Sequence, residues 1–274
     1  MTTGMKGLTG GTLWRLILCC ISTSSFAWGF WLPSSGRFLG ARRVSATAAA
    51  AASATNEWVS LDPNALSVGE RYRLLTSAVV PRPVAVISTR SIDGVVNCAP
   101  FSYTSLSSHD PPIVTHGIAV SQGSKKKDTL QNIEDTGEWV FHILTKTYLT
   151  KANDCAATLP SDQDETAAFD LPTLDCDEVN APRLEEAAVA LECKLWDKKE
   201  VMNDQGIHTT TIVMGRVVRV HVHESVLKEQ QDEDSPPVVD LIKLQAVGRA
   251  GDITYWPVGV THPETETLPM PRPQ

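Results

Sequence analysis

The sequence predicts a mostly β protein, an antiparallel barrel with a few flanking helices. Three observations predict it. Short β-branched runs recur with hairpin turn residues between them, and two long alternating stretches are joined by Asn203-Asp204-Gln205-Gly206. The signatures of a parallel nucleotide-binding sheet are absent: there is no G-x-G-x-x-G, no G-x-x-x-x-G-K-[ST] and no G-x-S-x-G. That pattern argues against a doubly wound dehydrogenase.

The elements follow in order. Residues 57–75 form a leading segment with a short helix, started by Asp62-Pro63 and stopped by Pro81-Arg82-Pro83. Residues 84–89 are a β-branched strand, Ile92-Asp93-Gly94-Val95 a tight turn, and residues 95–100 the returning strand. A third strand, 113–120, follows the breaker Asp110-Pro111-Pro112. Asp128 is placed to cap a helix through Leu130 and Ile133 to Asp135, ended by Gly137. Residues 138–144 are strand-forming, and residues 147–158 are helical and amphipathic. Residues 159–183, rich in Pro and acids, read as a long surface loop, as do the polar residues 228–237. The long strands cover 187–202, alternating around Leu191, Cys193 and Leu195, and 207–223, with Ile212, Met214, Val218 and Val220 on one parity.

Hydrophobic residues make up 42% of the 274, enough for a sizeable core. The net charge of −8 hides an asymmetry. The first acid is Glu57, and the stretch before it holds Lys6, Arg15, Arg37, Arg42 and Arg43. Beyond that stretch, 19 of the 24 bases remain against all 32 acids, a balance of −13. Such a body disfavours nucleic acid and anionic membranes as partners.

Residues 1–56 are expected to be a cleavable targeting presequence preceding a single domain at 57–274. Residues 13–21 form an apolar run too short to span a bilayer but suited to a signal core. Residues 27–55 are Ala/Ser/Arg-rich and acid-free, a transit-like composition. Together they resemble the bipartite plastid presequences of algae with complex plastids. Ser25-Phe26-Ala27 sits at the junction, although Trp28 stands where a Pro is usual. A plastid address is therefore expected, with a mitochondrial or secretory one as the alternative. No stable membrane insertion is expected once the presequence is removed.

Four cysteines lie in the body, Cys98, Cys155, Cys176 and Cys193, with no C-x-x-C pair. This is neither a zinc-ribbon spacing nor a dense disulfide framework. His221 and His223 share a strand face, which is more often a solvated ladder than a metal site. Ser108-His109-Asp110 is a sequence neighbourhood, and a triad is recognised in space. No metal is expected, and no catalytic side chain is nominated.

Three segments carry more. They are Arg82-Pro83-Val84-Ala85-Val86-Ile87-Ser88-Thr89; Asn97-Cys98-Ala99-Pro100-Phe101-Ser102-Tyr103-Thr104 with Asp110-Pro111-Pro112; and Lys127-Asp128-Thr129 with Asn132 one turn on. Arg249-Ala250-Gly251-Asp252-Ile253-Thr254-Tyr255 adds an R-x-G-x-x-x-Y. This ordered set, over about residues 70–256, resembles the flavin-reductase-like, FMN-binding split-barrel family.

The resemblance implies an antiparallel split barrel of Greek-key type, FMN as cofactor, a homodimer, and NAD(P)H as electron donor. The reduced flavin would pass electrons to a small-molecule acceptor. The implied cofactor-binding residues are Arg82, Asn97, Ala99, Phe101, Ser102, Thr104, Lys127, Asp128, Thr129 and Asn132. The residue types suit the ligand. Lys127 before a helix N-terminus, with Thr129, offers charge and N–H donors to a phosphate, and Lys125 and Lys126 reinforce the field. Asn97, Ser102 and Thr104 offer amide and hydroxyl partners, although such residues also serve turns. Cys98 reads as a small core hydrophobe. The alternative to an enzyme is a non-catalytic split barrel holding flavin or haem, or a partner protein. A pyridoxamine-phosphate-oxidase-type enzyme would need substrate-phosphate residues that the sequence does not display.

Overall fold

A computed structural model describes residues 58–120, 126–229, 235–251 and 254–258. The expected presequence lies outside the described residues. The described residues form twelve strands: β1 (Arg82–Pro83), β2 (Ala85–Arg90), β3 (Val96–Phe101), β4 (Thr104–His109), β5 (Pro112–Ala119), β6 (Glu138–Ile143), β7 (Thr173–Leu174), β8 (Arg183–Leu184), β9 (Val189–Met202), β10 (His208–Val222), β11 (Val247–Arg249) and β12 (Tyr255–Pro257). Among the described residues, five short α-helices accompany them: α1 (Val68–Ala78), α2 (Asp128–Thr136), α3 (Leu149–Asp154), α4 (Glu165–Ala168) and α5 (Leu241–Leu244). None of the described helices is long and apolar enough to cross a membrane.

Seven strands form one antiparallel sheet in the order β3-β2-β6-β9-β10-β5-β4. Its two edge strands are consecutive in sequence, joined only by Ser102 and Tyr103. The Phe101 ring on β3 meets His116 on β5 at 5.9 Å, so the sheet curls until its edges adjoin. The result is the expected mostly β, antiparallel split barrel. β1, β11 and β12 form a small second sheet.

β2 is buried on both faces, because successive side chains of a strand point to opposite sides. Ala85 and Ile87 join the barrel core with Phe101, Val114, Trp139, Phe141 and Val213. Leu130 and Ile133 on one face of α2 pack against it. Val84 and Val86 point the other way, into a second cluster with Leu144, Tyr148, Ala152 and Leu184. At 25 cal/mol per Å², burying each such aliphatic side chain contributes about 1.5–3 kcal/mol.

Turn chemistry behaves as the sequence implies. Gly94, at φ 89°, turns β2 into β3, and Gly206, at φ 73°, turns β9 into β10. Asn203 Oδ1 closes the second turn by accepting from the Gln205 and Ile207 N–H groups.

The structure departs from or adds to the sequence reading at four points. Asp128 does not cap α2; Lys127 occupies the N-cap, without a side-chain cap bond, and Asp128 is the first helical residue. An acid in that turn still complements the helix dipole. The sequence left open which parity of β10 faces inward: Thr211 and Val213 are buried, whereas Ile212, Val218 and Val220 are exposed. Trp139 decides this, since its indole occupies the space over Gly215 and excludes a larger residue there. The segment 159–183 is not a plain surface loop. Asp164 caps α4 by accepting from the Thr166 and Ala167 N–H groups, and Glu165, Leu171, Val179 and Ala181 are buried. Finally β4, Thr-Ser-Leu-Ser-Ser-His, was not anticipated. It is an edge strand with Ser105, Leu106 and Ser107 exposed, so it carries no apolar alternation.

Candidate functional site

A cleft of about 250 Å³ opens where β3, the start of α2 and the residues after α3 meet. Asn97, Ala99 and Pro100 form one wall, Lys126 to Thr129 a second, and Cys155 to Leu159 with Glu165 a third. Of the ten residues nominated from sequence, Asn97, Ala99, Lys127, Asp128 and Thr129 line this cleft.

A buried polar network fixes its floor. Asn97 Nδ2 donates to Thr129 Oγ1 at 2.9 Å and to Thr89 Oγ1 at 3.2 Å. Asn132 Nδ2 donates to the same Thr89 oxygen at 3.0 Å. These bonds tie the first turn of α2 to β2 and β3. Asn132 therefore works from behind the cleft, locking the helix that presents Lys127. Both threonine hydroxyls act here as acceptors, so each keeps its own proton to donate. Thr89 is the member that sequence reasoning passed over. A Thr ending a β-branched run gives no signal until two amides are seen to converge on it.

Charge is divided at the cleft. The Lys127 ammonium lies 5.8 Å from the centroid of the Phe101 ring. Lys126 is paired with Glu134 at 2.5 Å, and Lys198 reaches the same carboxylate. Lys126 thus lends less field to the cleft than its position in sequence implies. Lys125 lies outside the described residues. Helix α2 adds N–H groups of its first turn that lack intrahelical partners, together with the positive end of its dipole.

Glu165 is a site residue that the sequence did not reveal. It is buried at the cleft wall, and its carboxylate accepts from the Cys98 N–H at 3.2 Å. Burial, and then the nearby Asp128 and Asp164, push its pKa above the usual carboxylate range. The Cys98 thiol is buried beside Cys155; that contact and its burial hold it well above the usual thiol range. It stays protonated and packs as a small core side chain.

The remaining nominated residues lie elsewhere. Arg82 turns away from the cleft: its guanidinium donates to the Thr76, Val79 and Ala250 carbonyls at 2.5, 2.9 and 3.0 Å. It anchors the end of α1 against the β11–β12 turn. Thr104 Oγ1 donates to the Pro83 carbonyl at 3.0 Å. Phe101 is core, and Ser102 sits at the β3–β4 corner.

Comparison with known proteins agrees with this architecture. The flavin reductase like domain family matches residues 76–241, more than half of the chain, and the chain belongs to that family. It is 38% identical over 161 residues to the uncharacterized protein YwrF of Bacillus subtilis, spanning 59% of this chain and 78% of the relative. A protein of Halalkalibacterium halodurans is 30% identical over 213 residues, spanning 78% and 96%. Among solved structures, nitrilotriacetate monooxygenase component B from Bacillus cereus superposes with a TM-score of 0.71 at 28% identity, covering 78% of this chain and 100% of that one. A split-barrel protein of Shewanella frigidimarina, with a TM-score of 0.61 at 21% identity, covers 76% and 95% and shares the fold.

Proposed function

We propose that the chain is a flavin oxidoreductase that binds FMN in this cleft, takes electrons from NAD(P)H and passes them to a small-molecule acceptor. The observation that carries the reading is the pairing of Lys127 with the N-terminus of α2 at a cleft whose floor is locked by the Asn97–Thr89–Asn132 network. One cation, free backbone donors and the Thr129 hydroxyl together fit a terminal phosphomonoester. Ala99 and Pro100 offer apolar wall to a flat ring. When bound, the flavin supplies the two-electron chemistry, and the protein contributes binding, orientation and electrostatics. Glu165, whose pKa burial raises above the usual carboxylate range, adds a titratable group to the cleft wall.

Two further elements belong to the same proposal. A homodimer is supported by the apolar residues that β9 and β10 leave exposed. An organellar address rests on the acid-free residues 1–56 alone. It is tested by fusing them to a fluorescent protein: organellar signal supports it, and diffuse signal ends it.

The test of function is direct. The purified chain should show oxidised-flavin absorption after FMN is added, and should oxidise NADH or NADPH steadily. Tight FMN binding without turnover would favour the non-catalytic alternative. Failure to take up FMN at all would overturn the reading.

A further inference from the structure

Outside the cleft lining, on the face of β9 opposite the barrel core, three side chains of different chemistry converge. Glu192 on β9 is fully buried. His221 on β10 places Nε2 2.6 Å from Glu192 Oε1. Cys176, half-buried in the connection between β7 and β8, brings its thiol to the same point. The sulfur, a Glu192 oxygen and a His221 ring nitrogen all lie within 4.8 Å of one another.

The carboxylate is held in place from behind. The Asp177, Glu178 and Val179 N–H groups donate to it at 2.9, 2.7 and 3.1 Å. Outer-shell donors of this kind orient a ligating carboxylate. His223, two residues along, is not part of the cluster: its Nδ1 is engaged by Ser225.

One sulfur, one imidazole nitrogen and one carboxylate oxygen form a borderline-soft set, suited to zinc and poorly suited to calcium or magnesium, which prefer all-oxygen shells. A tetrahedral zinc with bonds of about 2.0–2.3 Å holds its ligand atoms about 3.4–3.6 Å apart. The His221–Glu192 pair, now at 2.6 Å, would open to that spacing, and the sulfur lies within 4.8 Å of both. A thiolate and a carboxylate neutralise a divalent cation, which suits a wholly buried Glu192. The His221 side chain is 23% exposed, leaving an approach for the ion and for a water in the fourth position.

We propose that Cys176, Glu192 and His221 bind one zinc ion, with solvent as the fourth ligand, independently of the flavin cleft. The ion would pin the β7–β8 connection to the β9–β10 ladder.

The experiment is a titration of the chelator-stripped chain with Zn²⁺ against a chromophoric chelator, with Co²⁺ as a spectroscopic stand-in. One equivalent should bind, and the cobalt form should show the intense visible bands of a tetrahedral ion with a thiolate charge-transfer band. Cys176→Ser and His221→Gln should each weaken zinc by at least about 100-fold, the upper end of what losing an outer-shell partner alone costs. His223→Gln should leave affinity unchanged. Binding that survives Cys176→Ser, or cobalt spectra of the unaltered protein without a thiolate band, would overturn the assignment. So would the absence of stoichiometric binding.

Discussion

The Trp139 indole lies so close to the Cα of Gly215 on the neighbouring face of β10 that a Cβ added to Gly215 would overlap the ring. The same Cβ would stand 3.2 Å from the Cβ of Cys193. Trp139 is fully buried in the barrel core, so the ring cannot swing into solvent. Gly215 is thus needed for space.

Gly215→Ala is expected to destabilise the chain by about 1–3 kcal/mol, the usual range for overpacking a filled core. Urea unfolding measures it. The double variant Gly215→Ala/Trp139→Phe should recover part of the loss, because the smaller ring frees the volume. A single variant as stable as the parent would show that the barrel relaxes freely at this point.

Thr89 accepts from two buried amides, so its replacement by Val leaves Asn132 without that partner and Asn97 with Thr129 alone. The expected cost is about 1–3 kcal/mol. Amide exchange in the first turn of α2 should quicken, and FMN affinity should fall although no cleft wall has changed. Thr89→Ser keeps the acceptor and should stay near the parent. Equal stability of the Val variant would remove the network from the account.

The legible and illegible parts of this protein separate by range. Gly94, Gly137 and Gly206 all adopt positive φ, and each is marked in sequence by its turn or helix end. Ala99, Lys127 and Thr129, which line the cleft, could be singled out in sequence because they sit in short contiguous motifs. Glu165 and Thr89 were not, since their roles arise from contacts 67 and 43 residues away in sequence, to Cys98 and Asn132. Arg82 sits within a motif, yet its guanidinium reaches Ala250, 168 residues on, which no local pattern reveals. β10 was left open for a similar reason. Its apolar set alternates correctly, but which parity faces inward was settled by Trp139 on β6.

Stability should fall with acid through two buried histidines. His142 is bracketed: Nδ1 donates to the Val86 carbonyl at 2.8 Å, and Nε2 accepts from the Leu184 N–H at 2.9 Å. Burial lowers its pKa from 6.5 to about 4. His116, buried between Phe101 and Trp139, is lowered by the same cause to about 3. Both folded values lie below the unfolded one, so the contribution is complete above pH 6.5. Below it the unfolded chain binds protons that the folded chain refuses. Each histidine then removes up to about 1.4 kcal/mol per pH unit until its folded pKa is reached. Urea midpoints between pH 7 and pH 5 measure the slope. Imidazole resonances of His142 that titrate near 6.5 in the folded chain would contradict it.

Lys127→Ala should weaken FMN binding by roughly 10-fold or more, since a charge-assisted hydrogen bond contributes about 1.5–3 kcal/mol. Lys126→Ala should matter less, because Lys126 is held by Glu134. Fluorescence quenching of FMN measures both. The loss at Lys127 should shrink as salt is raised, reflecting screening of a partly exposed cation. Equal effects at the two lysines would mean that a diffuse basic surface, rather than the helix-end cation, holds the phosphate.

The apolar residues that β9 and β10 leave exposed bear the most direct consequence for assembly. Trp196 and Val220 are each 55% exposed, with Ile212 at 39% and Val218 at 36% along the same two strands. Arg216 lies 5.7 Å from the Trp196 ring, so the patch is apolar with a cationic rim. That composition suits a protein interface, in which aromatic and Arg residues are enriched. Ile212→Glu places a charge in the patch at an outward-facing position between the buried Thr211 and Val213, so the monomer should fold as before. Sedimentation should show the parent chain as a dimer and the variant as a monomer, with little change in the urea midpoint of the isolated fold. A parent that sediments as a monomer at micromolar concentration would leave this apolar face without the proposed partner.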